Sequence, residues 1–506
     1  MDKVKSSMPN KVFSGMIWTA WGKISRTVLQ FTVLVLLARL MTPFDFGVIG
    51  AAMIVVGFSE ILTKVGFGPA LVQRDELEER HIRTAFSVSL MLSVLVGVTV
   101  FASAPLIASF FNFEGLATVL RALSLLFLIK GVGLVAESLA QRELDFKTLA
   151  NAETVSFFVG YFVFGVPMAL LGFGVWSLVV ANLATASVKT LIMYWYYPAA
   201  GVIPERKAFS ELAYFGGGYT IARVANHLAL EGDYLVVGRA MGMSALGIYG
   251  RSYQLMSVPA SSLGQVLDEV LFPSMSKIQN DRARLASIYL RGVSLVALVM
   301  LPVSVLSIIM APEIVRATLG WKWGAVVLPF QILMAGLLMR TSYKMSDSLT
   351  RASGAVYRRA WRQMIYAGLV FSGAFVGRNW GVEGVAVGVL GAVTVNYLLM
   401  AQMSIRLVGE SWRTFVRAHA NAALLAVCLG VAAFPAATIL RSLNISSYLF
   451  LATMIAYLAA CALLMIRISP NALLGTEGVW MLEFLRTYAA DKFAARNVVE
   501  ADGSAG

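Results

Sequence analysis

Two stretches of the chain, LARLMTPFDFGVIG at residues 37–50 and VGRAMGMSALGIYG at residues 237–250, are copies of one pattern. The arginine, the methionine and the two final glycines recur at an offset of 200 positions. Each copy lies between two long apolar segments, so we interpret it as a tight turn between two membrane helices. Its double occurrence indicates an internally duplicated protein.

The composition assigns the chain to the membrane proteins. Hydrophobic residues make up 58% and charged residues 14% of its 506 residues, and the mean hydropathy is +0.75. These values exclude a soluble domain and are typical of a polytopic membrane protein. The two cysteines, Cys428 and Cys461, lie inside apolar segments, where we expect packed thiols.

Apolar segments of about 18 to 26 residues, long enough to cross a hydrocarbon core, follow one another along the chain. We therefore predict an all-α polytopic fold with about 14 transmembrane helices. The predicted spans are 13–37, 47–70, 85–109, 116–138, 152–172, 174–197, 211–235, 246–270, 288–311, 324–347, 360–377, 382–405, 416–438 and 446–466.

The lysines and arginines of the connecting loops fall mostly on one side of the membrane, here called the basic side. The opposite side receives only Arg39, Arg239, Arg316, Lys322, Arg378 and Arg441. Basic loops stay in the cytoplasm, so we expect both termini to be cytoplasmic. Because topology explains most of the net charge of +13, we expect no nucleic-acid partner.

The offset of 200 extends beyond the turn, because Lys23 on the first span aligns with Arg223 on the seventh. A repeat of six spans predicts two pseudo-symmetric six-helix bundles, at residues 1–200 and 201–410. Two additional transmembrane helices should follow at 411–468. The tail at 469–506 should carry an interfacial amphipathic helix.

Three motifs carry a resemblance to a known family. They are ARLMTPFDFG at residues 38–47, LTKVGFGPALVQ at 62–73 and ALGIYGRSYQL at 245–255. The chain resembles the Wzx-type polysaccharide exporters, lipid-linked oligosaccharide flippases of the multidrug/oligosaccharidyl-lipid/polysaccharide superfamily. The resemblance covers roughly residues 13–405.

The resemblance implies a transporter, not an enzyme. It implies movement of undecaprenyl-diphosphate-linked oligosaccharide repeat units from the cytoplasmic to the periplasmic leaflet of a bacterial inner membrane, for exopolysaccharide or lipopolysaccharide synthesis. Its expected partners are the lipid-linked glycan, membrane lipids, and a polysaccharide polymerase with its export machinery. We expect a monomer that needs no cofactor and is coupled to a proton or sodium gradient.

Basic residues inside the spans predict the substrate site. A basic side chain costs about 2.5 to 3.5 kcal/mol at mid-membrane, so it should face water or an anion. Lys23 and Arg26 share one face of the first span, and Arg223 lies at mid-depth on the seventh. We expect these three to bind the diphosphate, with Arg251 lining the same cavity and Lys64 guiding entry.

Polar residues on the seventh span predict the coupling site. His227 and Glu231 share a stripe with Arg223, and Asp233 follows closely. They are candidates for proton or cation coupling, or alternatively for ionic partners of Arg223.

Other charges inside spans have structural interpretations. Lys189 lies near the basic side, where we expect it to snorkel to the surface. Lys130 and Glu137 have the spacing of an ion pair along one helix. Glu60 and Lys64 also have the spacing of an ion pair along one helix, and such a pair is an alternative to substrate contact by Lys64.

Two other functions remain as alternatives. A cation-coupled multidrug exporter shares the architecture, but a site for cationic drugs should be acidic, whereas this centre is basic. A membrane-embedded polymerase or ligase should have a long external loop with catalytic groups, whereas every predicted external loop is short. No metal-ligand spacing, P-loop or nucleophile elbow is found.

Overall fold

A computed structural model describes residues 18, 22, 25–63, 71–72, 77–198, 205–483 and 487. At residues 62, 206–230, 262–263, 265–270 and 356 it describes the backbone alone. Helices dominate the described residues, which contain no strand. The prediction of an all-α fold is therefore confirmed.

The helices are named here in chain order. They are α1 (25–40), α2 (Pro43–Thr63), α3 (Glu79–Phe110), α4 (Gly115–Leu123), α5 (Leu125–Arg142), α6 (Phe146–Phe158), α7 (Val166–Leu170), α8 (Val175–Tyr196), α9 (Arg206–Lys277), α10 (Arg282–Ile309), α11 (Ala311–Thr318), α12 (Val327–Ala335), α13 (Leu337–Ala352), α14 (Val356–Gly377), α15 (Gly381–Val408), α16 (Trp412–Arg417), α17 (Ala420–Ser442), α18 (Ser447–Ile468) and α19 (470–483). A π-helical turn at Val159–Gly165 joins α6 to α7, and 3-10 turns occupy Trp321–Val326 and Arg378–Trp380.

Ten helical runs among the described residues are long and apolar enough to cross a membrane. Large apolar side chains on these runs are exposed, as on Leu106, Leu170 and Leu191. Apolar surface of this extent suits contact with lipid tails. The chain is a multi-pass membrane protein, as predicted, while the total of fourteen spans stays a prediction.

Both copies of the repeated pattern form the predicted turn. In the first copy, α1 ends before a bend at Met41 and α2 begins at Pro43. In the second, α9 is broken at Gly242, whose φ of 84° lies in the left-handed region that glycine tolerates.

The two turns also contact each other through equivalent residues. Gly47 packs so closely on the Met243 carbonyl that a side chain at residue 47 would overlap it. Gly247 packs in the same way on the Pro43 carbonyl. Each pair of partners is related to the other by the offset of 200. The contact is therefore reciprocal, as expected for two copies related by a pseudo-twofold axis.

Small residues bring helices together in the first half as well. Gly131 of α5 packs against Ser93 of α3, and Gly133 packs against Thr190 of α8. Gly160, in the π-helical turn, approaches Thr185 of α8. Such close approach drives helix association where water is absent.

The chain divides into two compact units. Unit 1 comprises Met1–Arg251, Thr318–Trp323 and Val370–Val385, and unit 2 comprises Ser252–Ala317, Gly324–Leu369 and Ala386–Gly506. The six described residues of the predicted substrate and coupling sites belong to unit 1: Arg26, Arg223, His227, Glu231, Asp233 and Arg251. The predicted divisions after residues 200, 410 and 468 stay predictions.

The helix α19 packs against other helices of unit 2. Glu477 forms an ion pair of 3.1 Å with Arg291 of α10, whose guanidinium also lies over the Trp480 ring. Leu473 belongs to a buried cluster with residues of α17. These contacts attach α19 to the bundle, and its predicted place in the membrane interface stays a prediction.

Candidate functional site

The described residues cover part of the predicted site. Lys23 and Lys64 lie outside them. Arg223 and His227 lie on α9, where the backbone is described and the side chains are not. The side chains of Arg26, Glu231, Asp233 and Arg251 are described, and the geometry below rests on them.

Arg26 of α1 belongs to an ion-pair network that joins several helices of unit 1. Its Nη1 lies 3.0 Å from Oε2 of Glu153 on α6. Oε1 of Glu153 lies 3.4 Å from Lys189 Nζ of α8, which also lies 3.0 Å from Oε2 of Glu137 on α5. Two basic and two acidic side chains from four helices therefore balance each other, here called the four-residue network.

The four-residue network is partly open to its surroundings. The Arg26 and Glu153 side chains are 44% and 38% exposed, whereas Lys189 is 23% exposed. Because screening weakens partly exposed pairs, Glu153 positions the Arg26 guanidinium without making it unavailable to an anion. A second anion can share an arginine that has five donors.

A second ion pair joins Glu60 of α2 to Lys130 of α5. The expected pair between Lys130 and Glu137 is wrong, because Glu137 pairs with Lys189 instead. Lys189 pairs with two carboxylates, and its predicted snorkelling to the surface stays a prediction. The physical reason is that ions in a low-dielectric interior pair with the nearest opposite charge, whichever helix carries it.

Arg251 lies against aromatic rings. Its guanidinium carbon is 4.0 Å from the Phe46 ring centre, which is a cation–π contact. Phe46 in turn meets the Trp323 ring edge to face at 5.5 Å. The indole Nε1 of Trp323 donates to the Ala38 carbonyl at 2.7 Å. The first copy of the repeated turn thus supplies the aromatic ring, that of Phe46, against which Arg251 packs.

Tyr161 links Arg26 with Arg251. It lies in the π-helical turn and is within electrostatic range of both guanidinium groups. Its ring stacks on Phe157 at 4.5 Å between ring centres. Interruptions of this kind in an α-helix occur often at functional sites, because they redirect side chains. Two of the predicted substrate residues therefore act electrostatically on one phenol.

Asp233 is buried, with 2% of its surface exposed. Oδ2 accepts a hydrogen bond of 2.6 Å from the Tyr249 hydroxyl, and Oδ1 accepts one of 3.0 Å from the Tyr234 backbone. The Tyr234 and Tyr249 rings meet edge to face. Glu231 is partly buried two residues away. Asp233 thus ties α9 together across the break at Gly242.

The turn between α5 and α6 carries another bonded carboxylate. Asp145 accepts from the Thr148 backbone at 3.1 Å, which caps α6, and from the Tyr197 hydroxyl at 2.9 Å. Burial acts to raise the pKa of Asp145, but the bonds to Thr148 and Tyr197 outweigh it and lower that pKa. Burial and the bond to Asp145 raise the pKa of Tyr197.

Sequence reasoning missed several residues of this region. Glu153 is an acidic residue within an apolar span, which is a signal that Arg26 and Lys189 needed a partner, whereas Glu137 was noticed but assigned to Lys130. Tyr161, Phe46 and Trp323 gave no such signal, because aromatic residues are common in any span. In the part of the chain that the structure describes, no three His, Cys, Asp or Glu side chains gather as a metal site requires.

Comparisons with known proteins agree with this architecture. A family model described as "Polysaccharide biosynthesis protein" matches residues 36–328. TuaB, a teichuronic acid biosynthesis protein of Bacillus subtilis (strain 168), is 26% identical over 69% of this chain and 72% of its own length. WzxC, a lipopolysaccharide biosynthesis protein of Escherichia coli (strain K12), is 24% identical over 81% of this chain and 84% of its own.

Solved structures share the fold. The lipid II flippase MurJ, in an inward closed conformation, superposes with a TM-score of 0.73 at 12% identity, over 90% of this chain and 99% of MurJ. A multidrug resistance transporter of the MATE family, in an inward-facing conformation, gives 0.59 at 18% identity, over 76% of this chain and 96% of its own.

The resemblance to the Wzx-type exporters is thereby confirmed, since WzxC is among the relatives and both solved structures have the fold. The matched segment covers more than half of the chain and includes both copies of the repeated turn. The chain belongs to the polysaccharide biosynthesis protein family.

Proposed function

We propose that this protein is a flippase for lipid-linked oligosaccharides. It moves undecaprenyl-diphosphate-linked repeat units from the cytoplasmic to the periplasmic leaflet by alternating access, for exopolysaccharide or lipopolysaccharide synthesis. The observation that carries the proposal is the partly exposed Arg26 guanidinium of α1, paired with Glu153 of the apolar helix α6. Such a charge is costly in lipid and useful to an anionic headgroup.

The diphosphate is held by basic side chains of unit 1. Arg26 and Arg251, both in range of Tyr161, bind it together with Lys23 and Arg223. Arginine presents paired donors that suit phosphate oxygens, and several charges suit a diphosphate. Lys64 guides the headgroup on entry, while the lipid tail stays in the bilayer.

Ion coupling is assigned to α9. His227, Glu231 and Asp233 are the proposed groups, and a proton or sodium gradient supplies the energy without a further cofactor. The bond between Asp233 and Tyr249 spans the break at Gly242, so a change in the charge of Asp233 reaches both parts of α9. That connection supports a role in switching.

The surroundings of the protein follow from the same proposal. It lies in the inner membrane of a bacterium as a monomer, with both termini in the cytoplasm. It receives the glycan on its lipid carrier and passes it to a polysaccharide polymerase and export machinery. The distribution of loop charges supports this orientation.

Export of cationic drugs is less well supported. A cationic substrate needs carboxylates that are available in the membrane interior. Glu60, Glu137 and Glu153 each pair with a lysine or an arginine of the protein itself. These three carboxylates are therefore already neutralised by the protein's own basic side chains and are less available to a cationic drug.

Binding of the headgroup to the purified full-length chain tests the proposal. Undecaprenyl diphosphate linked to an oligosaccharide should bind, and Arg26→Gln and Arg223→Gln should each weaken its binding about tenfold to a hundredfold, because each removes a charge-assisted contact. Arg284→Gln, which changes a mostly exposed arginine in the first turn of α10, is the control. Equal binding by all four proteins would contradict the proposal.

A further inference from the structure

Arg362 ties α14 to α15 in unit 2. Its Nε donates to the Leu399 carbonyl at 3.1 Å, and its Nη1 donates to the Arg358 carbonyl one turn earlier at 3.0 Å. These bonds fix the guanidinium between the two helices. The start of α14 and the end of α15 are both predicted to lie on the basic side.

The guanidinium groups of two other arginines influence that of Arg362. Arg358 and Arg406 are exposed, and each repels Arg362 electrostatically. Like charges in proximity destabilise the fold unless something compensates them. Among the described residues, no carboxylate lies within ion-pair distance of any of these three arginines, here called the arginine cluster.

Two other arginines of the same region do have an acidic partner. Arg351 and Arg359 both pair with Asp347, a largely buried carboxylate of α13. The protein thus neutralises two arginines of this region with its own side chain and leaves the arginine cluster without one. An anion from outside the chain can supply the missing charge.

Exposed apolar side chains lie on the same two helices as the arginine cluster. Trp361 and Met364 of α14 are 63% and 64% exposed, and Val395 and Leu398 of α15 are also exposed. Each pair is three residues apart on its helix, so the two faces form apolar stripes that run into the membrane from the arginines. Tryptophan is typical of the membrane–water interface.

We infer that the arginine cluster binds the phosphate of an anionic membrane phospholipid. The guanidinium groups bond the phosphate oxygens, and the acyl chains lie along the stripes of α14 and α15. A membrane phospholipid fits better than the transported substrate, because the apolar residues on these two helices are exposed. The described substrate residues of the proposal, Arg26, Arg223 and Arg251, belong in contrast to unit 1.

Lipid retention by the purified full-length protein tests this inference. Native mass spectrometry should find one phosphatidylglycerol that stays bound per chain, in preference to phosphatidylcholine. Arg358→Gln combined with Arg406→Gln should weaken phosphatidylglycerol binding about tenfold. Arg362 is kept in this variant, because its bonds to Leu399 and Arg358 hold the helices together.

The matched control replaces two exposed arginines elsewhere on the basic side, Arg282→Gln with Arg284→Gln, and should retain the lipid. Equal losses in both double variants would overturn the inference, because they would indicate a general effect of charge. Equal binding of phosphatidylcholine would overturn it as well. So would displacement of the bound lipid by the lipid-linked diphosphate, since the cluster would then serve the substrate.

Discussion

The two copies of the repeated turn reach the same bend with different residues. In the first, Thr42 and Asp45 form a capping box: the Thr42 backbone donates to Asp45 Oδ2 at 3.0 Å, and the Asp45 backbone donates to Thr42 Oγ1 at 3.3 Å. Pro43 occupies the first position of α2, where its missing N–H costs nothing. In the second copy, Gly242 makes the bend by its left-handed backbone.

What the copies share is the contact between them. Gly47 and Gly247 lie against each other's turns, although the residues that bend the chain differ. The comparison indicates that packing between the copies constrains these glycines, whereas local turn chemistry has diverged. The largest effects should therefore come from the contact and smaller ones from each turn.

Substitutions that add a side chain at the contact between the two turns should destabilise the protein most. Gly47→Ala and Gly247→Ala each place a methyl group into a backbone carbonyl of the other copy, so each should destabilise the protein by about 3 kcal/mol. Thermal unfolding of the detergent-solubilised chain measures this. Gly391→Ala, in α15 with open space around it, is the control and should cost nothing. Similar melting temperatures for all three variants would show that the copies do not depend on close contact.

The bend of the second copy should show an intermediate effect. Gly242→Ala puts a side chain at a φ of 84°, which costs about 1–2 kcal/mol although no atom lies within 4 Å of the new methyl group. Gly368→Ala, also in open space but without the positive φ, separates strain from the loss of glycine. Unchanged stability of Gly242→Ala would mean that the bend does not need glycine.

The bend of the first copy should be less sensitive. Asp45→Ala makes it resemble the second copy, which has Ala245 at the equivalent position. Loss of the capping bonds should cost about 1 kcal/mol in the same unfolding measurement. If Asp45→Ala cost as much as Gly47→Ala, the local turn would matter as much as the contact and the comparison would fail.

Replacing a second capping aspartate, Asp145, should have the smallest effect on stability, and this effect should depend on pH. Because the pKa of Asp145 is lowered in the folded protein, its stabilisation is present above the usual aspartate pKa and is lost as pH falls through the folded value. Wild type should exceed Asp145→Asn by about 0.5 kcal/mol at pH 7, and the gap should close in acid. Melting curves at pH 7, 5 and 3 give the comparison, and a gap that widened in acid would contradict it.

The fold was more accessible from the sequence than the site. Spans and turns depend on local apolar length and on glycine, which the sequence states directly. The partner of a charge depends on which helices become neighbours: Arg26 pairs with Glu153, 127 residues away. Helical spacing suggested that Lys130 would pair along its own helix, whereas it pairs with Glu60, which is 70 residues away. Helical spacing shows on which side of its helix a residue lies, but it does not show which residue of another helix lies opposite.

The most direct test of the proposed function is the distribution of lipid-linked repeat units between the two leaflets of a deletion strain of the source bacterium. We expect intact units to accumulate in the cytoplasmic leaflet, with wild type restoring transfer and Arg223→Ala failing to do so at equal membrane abundance. Units that reach the periplasmic leaflet normally without the protein would contradict the flippase assignment.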